Sequence, residues 1–167
     1  MITKNTKNLI KKALIEDIGK GDITTNTIVP QEKLAVAKLI AKDYGVLAGI
    51  EITKYVFILL DKNIKWAAKL SDGSTLVPGN IIAEIHGSAK SILTAERTAL
   101  NFLQKLSGIA TEVFNFTKKI KPFKAKILDT RKTTPLLRAL ENMLLKLVEG
   151  SIIDLGFMML FLLRIIT

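Results

Sequence analysis

One run of residues, from Lys126 to Pro135, constrains the fold more than any other stretch. Ile127 and Leu128 are typical of the end of a short buried strand. A polar run, 129–134, follows, and leucines at helical spacing after Pro135 predict a helix (Leu136, Leu137, Leu140, Leu144). Strand, polar loop and helix in this order predict an α/β unit, and ligands of such units bind at the carboxyl end of the strand.

The polar loop places Arg131 directly beside Lys132. Arginine offers a planar fork to a carboxylate or phosphate, whereas lysine offers a mobile point charge. The spacing alone fits an anion site and a solvated basic loop equally well. The chain has 25 Lys and Arg residues, of which only four are arginine (Arg97, Arg131, Arg138, Arg164). The scarcity of arginine favours a role for its guanidinium group in binding a bidentate anionic ligand. It does not identify that ligand.

Composition limits the classes of function. The net charge of +10 suits an anionic ligand, a nucleic acid or an anionic membrane surface. Because the lysines are scattered and aromatic residues make up only 6%, we do not expect nucleic-acid binding. The absence of cysteine excludes disulfides and thiolate chemistry. The N-terminus has no uninterrupted apolar segment, so no signal peptide is expected, and a cytoplasmic location is compatible with these features.

Hydrophobic periodicity predicts interleaved helices and strands, which favours an α+β sandwich. Gly19 and Gly21 should end the first helix, with Asp22, Thr24 and Thr25 in a polar turn. Gly108 should separate two later helices. The predicted helices span residues 6–18, 50–60, 91–106 and 109–119. The predicted strands span residues 34–41, 46–48, 64–70, 81–85 and 125–128.

Two further polar features carry alternative interpretations. Arg97, Asn101 and Lys105 lie four residues apart on one face of the predicted helix 91–106, and a solvated polar stripe would give the same pattern. His86 is the only histidine and ends a predicted strand. We interpret it as a structural or surface residue rather than as a general base.

Three blocks resemble one family, in the family's order: EDIGKGDITT at 16–25, ERTALNFLQKLSGIAT at 96–111 and ILDTRKTTP at 127–135. They closely resemble quinolinate phosphoribosyltransferase, and the resemblance covers residues 1 to about 141. It implies an N-terminal α/β sandwich at 1–108 and the first strand-helix unit of a C-terminal α/β barrel at 109–141. A complete barrel takes roughly 250 residues, so this barrel is expected to be incomplete.

The resemblance implies a glycosyltransferase of NAD biosynthesis. Such an enzyme transfers a phosphoribosyl group from phosphoribosyl pyrophosphate to quinolinate with decarboxylation, giving nicotinate mononucleotide, pyrophosphate and carbon dioxide. The implied quinolinate-binding residues are Thr130, Arg131 and Lys132, with Arg138 as a possible addition. Arg97 would reach the site of the neighbouring subunit in a homodimer. Magnesium is expected with the phosphoribosyl donor; no metal ligand and no catalytic residue is assigned in this chain.

Two departures from the family follow. Leu136 replaces the glycine of the family's TTPGLR, a residue that takes a positive φ freely. The tail, 142–167, does not resemble the family, and its apolar run at 155–163 is shorter than the roughly 20 residues of a membrane span.

We interpret the tail as a frameshifted reading. Shifted codons from Glu141 onward can give KYAVKVGGGFNHRFGLYDAVLIKDNH, which resembles the family's next block, and the coding DNA tests this interpretation. Two hypotheses for the chain follow: a transferase, or an inactive remnant that keeps only the N-terminal folding and dimerisation domain. A turnover assay with both substrates separates them.

Overall fold

The computed structural model describes residues 2–19, 21, 23–123, 127 and 131–149. Within these residues the chain forms five helices and five strands. The helices are α1 (Lys4–Ile18), α2 (Ile23–Ile28), α3 (Ile50–Leu60), α4 (Ala89–Ile120) and α5 (Arg138–Glu149). The strands are β1 (Leu34–Ile40), β2 (Gly45–Val46), β3 (Lys65–Ala68), β4 (Thr75–Leu76) and β5 (Ile81–Ser88).

The strands form two antiparallel groups. In the larger sheet β5 lies between β1 and β3, and a separate ribbon pairs β2 with β4. Lys38 lies opposite Glu84 in the β1–β5 pair, and the register shifts between Leu39 and Ile40. Strands β1 and β5 of this sheet pack on α4, which also packs on α3, and these elements surround an apolar core. Its largest fully buried side chains include Phe57, Ile10, Leu47, Ile85, Leu106 and Leu144.

The first helix follows its predicted boundaries closely. Thr3 caps its N-terminus, where the Thr3 side chain accepts a hydrogen bond from the Thr6 amide. Gly19 ends it with a φ of 53°, as the sequence predicts. The predicted polar turn is wrong at Thr24 and Thr25, because these residues belong to the short helix α2. Asp22, the third residue of that predicted turn, lies outside the described residues. Thr25 is buried and α2 packs on α4, so tertiary packing overrides the low helix propensity of threonine.

Helix α4 is the central element of the fold. It runs for 32 residues and packs against α1, α3, α5 and β2. The predicted break at Gly108 is wrong, since this exposed glycine lies inside the helix. A glycine costs a helix about 1 kcal/mol, whereas burial of one leucine stabilises by about 1.5–3 kcal/mol. The buried stripe continues through Leu106 to Ala110 and keeps the helix intact.

Strand β2 and the loop that joins it to α3 are attached to α4 by hydrogen bonds. The Val46 amide donates to Thr111 Oγ1 at 2.9 Å, and the Ala48 amide donates to Ser107 Oγ at 3.0 Å. Gly49 precedes α3 with a φ of 95°, and a Cβ there would lie 2.6 Å from Leu106 Cδ1. The close approach of this loop to α4 therefore requires glycine.

The C-terminal part of the described chain begins after α4. The predicted strand at 125–128 lies outside the described residues apart from position 127. The predicted helix after Pro135 is present, but it begins at Arg138, and a turn occupies 135–137. Leu140 and Leu144 lie in this helix, as predicted, and are buried against the rest of the fold through the packing of α5 on α4. Leu136 and Leu137 were also predicted to be helical, but they lie in the turn. Helix α5 continues to residue 149, and the rest of the apolar tail, 150–167, lies outside the described residues.

Candidate functional site

The cationic pair stands in a short loop, residues 131–134, directly ahead of the turn and helix α5. Arg131 and Lys132 are both exposed, while Thr133 and Thr134 are half-buried. Two adjacent cations at a solvent-facing loop can bind a small dianion, one through the guanidinium fork and one through the ammonium group. Thr130, the third predicted binding residue of this segment, lies outside the described residues.

Arg138 lies in the first turn of α5 and bonds back to the loop. Its Nη2 donates to the backbone carbonyl of Arg131 at 3.3 Å, and its Nε donates to Thr133 Oγ1 at 3.4 Å. The structure thus brings together Arg138 and Arg131, two of the predicted site residues. The contact joins a side chain to backbone and hydroxyl groups of the loop, and both guanidinium groups are exposed.

Glu141 also contacts the loop, and sequence reasoning did not identify this residue. Its Oε2 accepts a hydrogen bond from the Thr134 amide at 3.1 Å, whereas its Oε1 is buried without a hydrogen-bond partner. The available signal was the spacing of Arg138 and Glu141, which places both side chains on one side of α5. Neither residue type by itself indicates that the loop is its partner.

The turn between the loop and α5 has an unusual backbone. The Leu137 amide donates to the Thr134 carbonyl at 3.0 Å, and Leu136 has a φ of 67°. Proline at the second position and a positive φ at the third are features of a type II turn, which favours glycine at that third position. Leu136 is the one non-glycine residue with a positive φ among the described residues. The predicted departure at this position therefore has a direct conformational consequence.

Arg97 lies on α4 and pairs with the end of α1. Its Nη1 stands 3.3 Å from Asp17 Oδ1, and the Thr98 hydroxyl donates to Asp17 Oδ2 at 3.3 Å. The Arg97 side chain is 76% exposed. Across the described residues, no hydrogen bond or ion pair joins Arg97 to loop 131–134. Asp17 belongs to the block at 16–25, the first of the three blocks that resemble the family.

The sheet carries a separate cluster of charges. Glu84 stands 3.1 Å from Lys69 Nζ and 3.7 Å from Lys38 Nζ. The hydrogen bond from Lys69 is the main cause that holds the pKa of Glu84 below its ordinary value, and the charges of Lys69 and Lys38 act in the same direction. His86 is exposed on the same strand, which confirms its interpretation as a surface residue. This cluster is a solvent-facing ion-pair network.

Neither a metal centre nor a membrane segment is found in the described ranges. No group of three or more His, Cys, Asp or Glu side chains in these ranges could hold a metal ion. The described helices also include none whose length and apolar character would suffice for crossing a membrane.

Comparison with protein families gives two adjacent matches. The family model described as "Quinolinate phosphoribosyl transferase, N-terminal domain" matches residues 22–107. The model described as "Quinolinate phosphoribosyl transferase, C-terminal domain" matches residues 109–158. The two matches meet at Gly108 inside α4, and the second extends beyond residue 141, where the motif resemblance ends.

Proteins of similar sequence have names that agree with these two family models. A probable nicotinate-nucleotide pyrophosphorylase (carboxylating) of Bacillus subtilis is 43% identical over 136 residues, covering 81% of this chain and 47% of the relative. The quinolinate phosphoribosyltransferase (decarboxylating) 1b of Nicotiana tabacum is 37% identical over 84% of this chain and 40% of its own length. This chain therefore spans about half the length, or less, of the curated relatives it matches.

Solved structures agree with these sequence matches. The crystal structure of NadC from Streptococcus pyogenes superposes with a TM-score of 0.81 and 40% identity, over 84% of this chain and 50% of that one. The nicotinate-nucleotide pyrophosphorylase from Francisella tularensis gives a TM-score of 0.79 at 36% identity, over 87% and 52%. The predicted α+β sandwich followed by the beginning of a C-terminal barrel domain is thereby confirmed. The chain belongs to the quinolinate phosphoribosyl transferase family.

Proposed function

We propose that this chain carries part of the substrate site of an enzyme that transfers a phosphoribosyl group from phosphoribosyl pyrophosphate to quinolinate. Decarboxylation accompanies the transfer, and the products are nicotinate mononucleotide, pyrophosphate and carbon dioxide. The observation that carries the proposal is loop 131–134, which carries exposed cations at two consecutive positions in a member of this family. Because the chain spans about half the length of its relatives, the complete reaction is proposed for the whole protein.

Quinolinate is a pyridine with carboxylates on two neighbouring ring carbons, so its recognition requires closely spaced cations. The Arg131 guanidinium can bind one carboxylate in a bidentate manner, and the Lys132 ammonium can bind the other. Thr130 would add a hydroxyl or backbone contact. Arg97 would contribute a further cation from a neighbouring subunit, and its large exposure supports this role.

The transfer step develops positive charge at the ribose carbon while the bond to pyrophosphate breaks. Orientation of the substrates and electrostatic stabilisation should therefore dominate the rate enhancement. The loop cations bind and orient quinolinate, and we assign no proton transfer to the described residues. We propose that magnesium accompanies phosphoribosyl pyrophosphate, but the described residues offer no cluster of metal ligands, so no step is assigned to the ion.

A homodimer and a cytoplasmic location complete the proposal. The dimer follows from the role of Arg97 across a subunit interface. The cytoplasmic location is proposed by analogy with the bacterial relatives. The plant relatives do not support it, since the names of some include mitochondrial or chloroplastic.

Quinolinate titration of the full chain by calorimetry tests the site. We expect Arg131→Ala and Lys132→Ala to weaken binding at least about tenfold each, since a charge-assisted hydrogen bond contributes about 1.5–3 kcal/mol. Lys62→Ala removes an exposed cation elsewhere and serves as the matched control. Equal affinity of Arg131→Ala and Lys62→Ala would contradict the proposal.

The dimer and the reaction need separate measurements. Mixing Arg97→Ala with Arg131→Ala subunits should restore part of the lost binding capacity if Arg97 acts across the interface, and sedimentation velocity reports the dimer directly. Incubation with both substrates, followed by chromatographic detection of nicotinate mononucleotide, measures turnover. Product formation would also exclude the inactive-remnant hypothesis.

A further inference from the structure

The first turn of α5 holds the cationic loop at three points. Arg138 donates to the Arg131 carbonyl and to the Thr133 hydroxyl, and Glu141 accepts from the Thr134 amide. Two oppositely charged side chains of one helix thus set the backbone path of the loop.

The helix that holds the loop is itself anchored in the core. Leu140 is 5% exposed and Leu144 is fully buried, and they lie four residues apart on the face of α5 that packs against α4. Arg138 and Glu141 flank Leu140 in sequence. The hydrogen bonds attach the loop to α5, and the packing of α5 attaches it in turn to α4. The position of the loop therefore depends on α4.

We propose that Arg138 and Glu141 are positioning residues, which act on quinolinate only through the placement of Arg131 and Lys132. This inference rests on the proposed function and assigns Arg138 a role different from direct substrate binding. Its two bonded guanidinium nitrogens already face the loop backbone and a hydroxyl. A carboxylate such as Glu141 would oppose a bound dianion if it acted directly, so its presence is explained by its bond to Thr134.

The direction in which Glu141→Ala changes the affinity for quinolinate distinguishes a direct electrostatic role of Glu141 from a positioning role. Glu141→Ala removes a negative charge and the acceptor for the Thr134 amide. Direct electrostatics predicts tighter quinolinate binding, whereas positioning predicts weaker binding. We expect a loss of about fivefold or more, because one charge-assisted hydrogen bond is removed. Glu141→Gln keeps an acceptor oxygen without the charge and should restore affinity to within about threefold of the unsubstituted chain.

A double-mutant cycle gives the corresponding test for Arg138. If Arg138 acts through Arg131, then Arg138→Ala weakens binding in the unsubstituted chain but has little further effect in the Arg131→Ala background. A direct ligand role predicts equal losses in both backgrounds. Lys62→Ala controls for the loss of one positive charge, and circular dichroism verifies that each variant is folded.

Amide hydrogen exchange supplies a readout that needs no ligand. Exchange at Thr134 should be faster in Glu141→Ala than in Glu141→Gln, and unchanged exchange would overturn the inference. Binding that is lost in Arg131→Ala but intact in Glu141→Ala and Arg138→Ala would overturn it while leaving the proposed function standing. Absence of quinolinate binding by the unsubstituted chain would overturn the proposed function and this inference together.

Discussion

Leu136 combines an exposed side chain with a left-handed backbone. Its side chain is 84% exposed and its φ is 67°. An L-residue in this conformation costs about 1–2 kcal/mol, whereas glycine loses about 0.5–1 kcal/mol through its greater freedom in the unfolded chain. We therefore expect Leu136→Gly to raise the free energy of unfolding by about 0.5–1 kcal/mol. Urea denaturation followed by circular dichroism measures this change.

A second leucine provides the control for that substitution. Leu93 is also exposed, but it lies inside α4 with ordinary helical geometry. Leu93→Gly should lower the free energy of unfolding by about 1 kcal/mol, because glycine is a poor helix former. If both substitutions destabilise the chain equally, then the backbone of Leu136 is not under strain.

Single residues also mark the limit of what the sequence can predict. The departure at Leu136 was identifiable because a turn motif specifies which position needs a positive φ. The pairing of Asp17 with Arg97 was not identifiable from the sequence, because 80 residues separate them and only the packing of α1 on α4 brings them together. Local patterns predict local backbone, whereas partners distant in sequence follow from tertiary packing.

Helix α4 contains a glycine that its surroundings do not require. A Cβ at Gly108 would meet no atom within 4 Å, and its φ is not positive. We expect Gly108→Ala to raise the free energy of unfolding by about 0.5–1 kcal/mol. Gly45→Ala is the matched control, because a Cβ there would lie 2.7 Å from Thr111 Oγ1 and should destabilise the chain. Thermal unfolding of both variants checks the opposite signs.

The first residue of helix α3, Ile50, donates its backbone N–H to a carboxylate that is distant in sequence. Asp72 Oδ1 accepts from the Ile50 amide at 2.9 Å, and burial raises the pKa of Asp72, although the bonds from Ile50 and Gly49 oppose that shift. Asp72→Ala leaves a buried amide unpaired and should lower stability by about 1–3 kcal/mol. Asp72→Asn keeps an acceptor oxygen and should be far milder.

The same carboxylate makes stability depend on pH. The pKa of Asp72 is higher in the folded chain than in the unfolded chain. At a pH just above the ordinary pKa of 3.8, the folded chain therefore binds more protons than the unfolded chain. The Asp72 contribution to the free energy of unfolding therefore decreases as pH rises through the folded pKa. Asp72→Asn should flatten this part of the profile, which urea midpoints measured between acidic and neutral pH would detect.

The extent to which the fold was predictable differs between long and short elements. Helix α3 and strands β1 and β5 carry enough residues for a clear periodicity, and the sequence identifies them. Strand β4 has only two residues and depends on pairing with β2, so it leaves no periodic signal. The break expected at Gly108 failed for the opposite reason, because burial along 32 residues outweighs one poor helix former.

The whole described chain is organised around α4, which contacts both α5 and the sheet domain, meaning the elements from α1 to β5. Leu144 is fully buried in the contact between α4 and α5. Leu144→Ala should lower the free energy of unfolding by about 2–5 kcal/mol, the usual range for a buried leucine. Trp66, the only tryptophan, lies on β3 against Phe57 and so reports unfolding of the sheet domain.

Trp66 fluorescence and circular dichroism together show whether α5 and the sheet domain unfold as one cooperative unit. Because α4 is shared by both, the urea midpoint reported by Trp66 fluorescence should fall in Leu144→Ala by the same amount as the midpoint reported by circular dichroism. Leu103→Ala, a buried position within α4 itself, gives the reference for a fully shared effect. If the Trp66 midpoint stays unchanged in Leu144→Ala while the helical signal shifts, then α5 unfolds separately. The cationic loop would then be held by an element that the sheet domain does not stabilise.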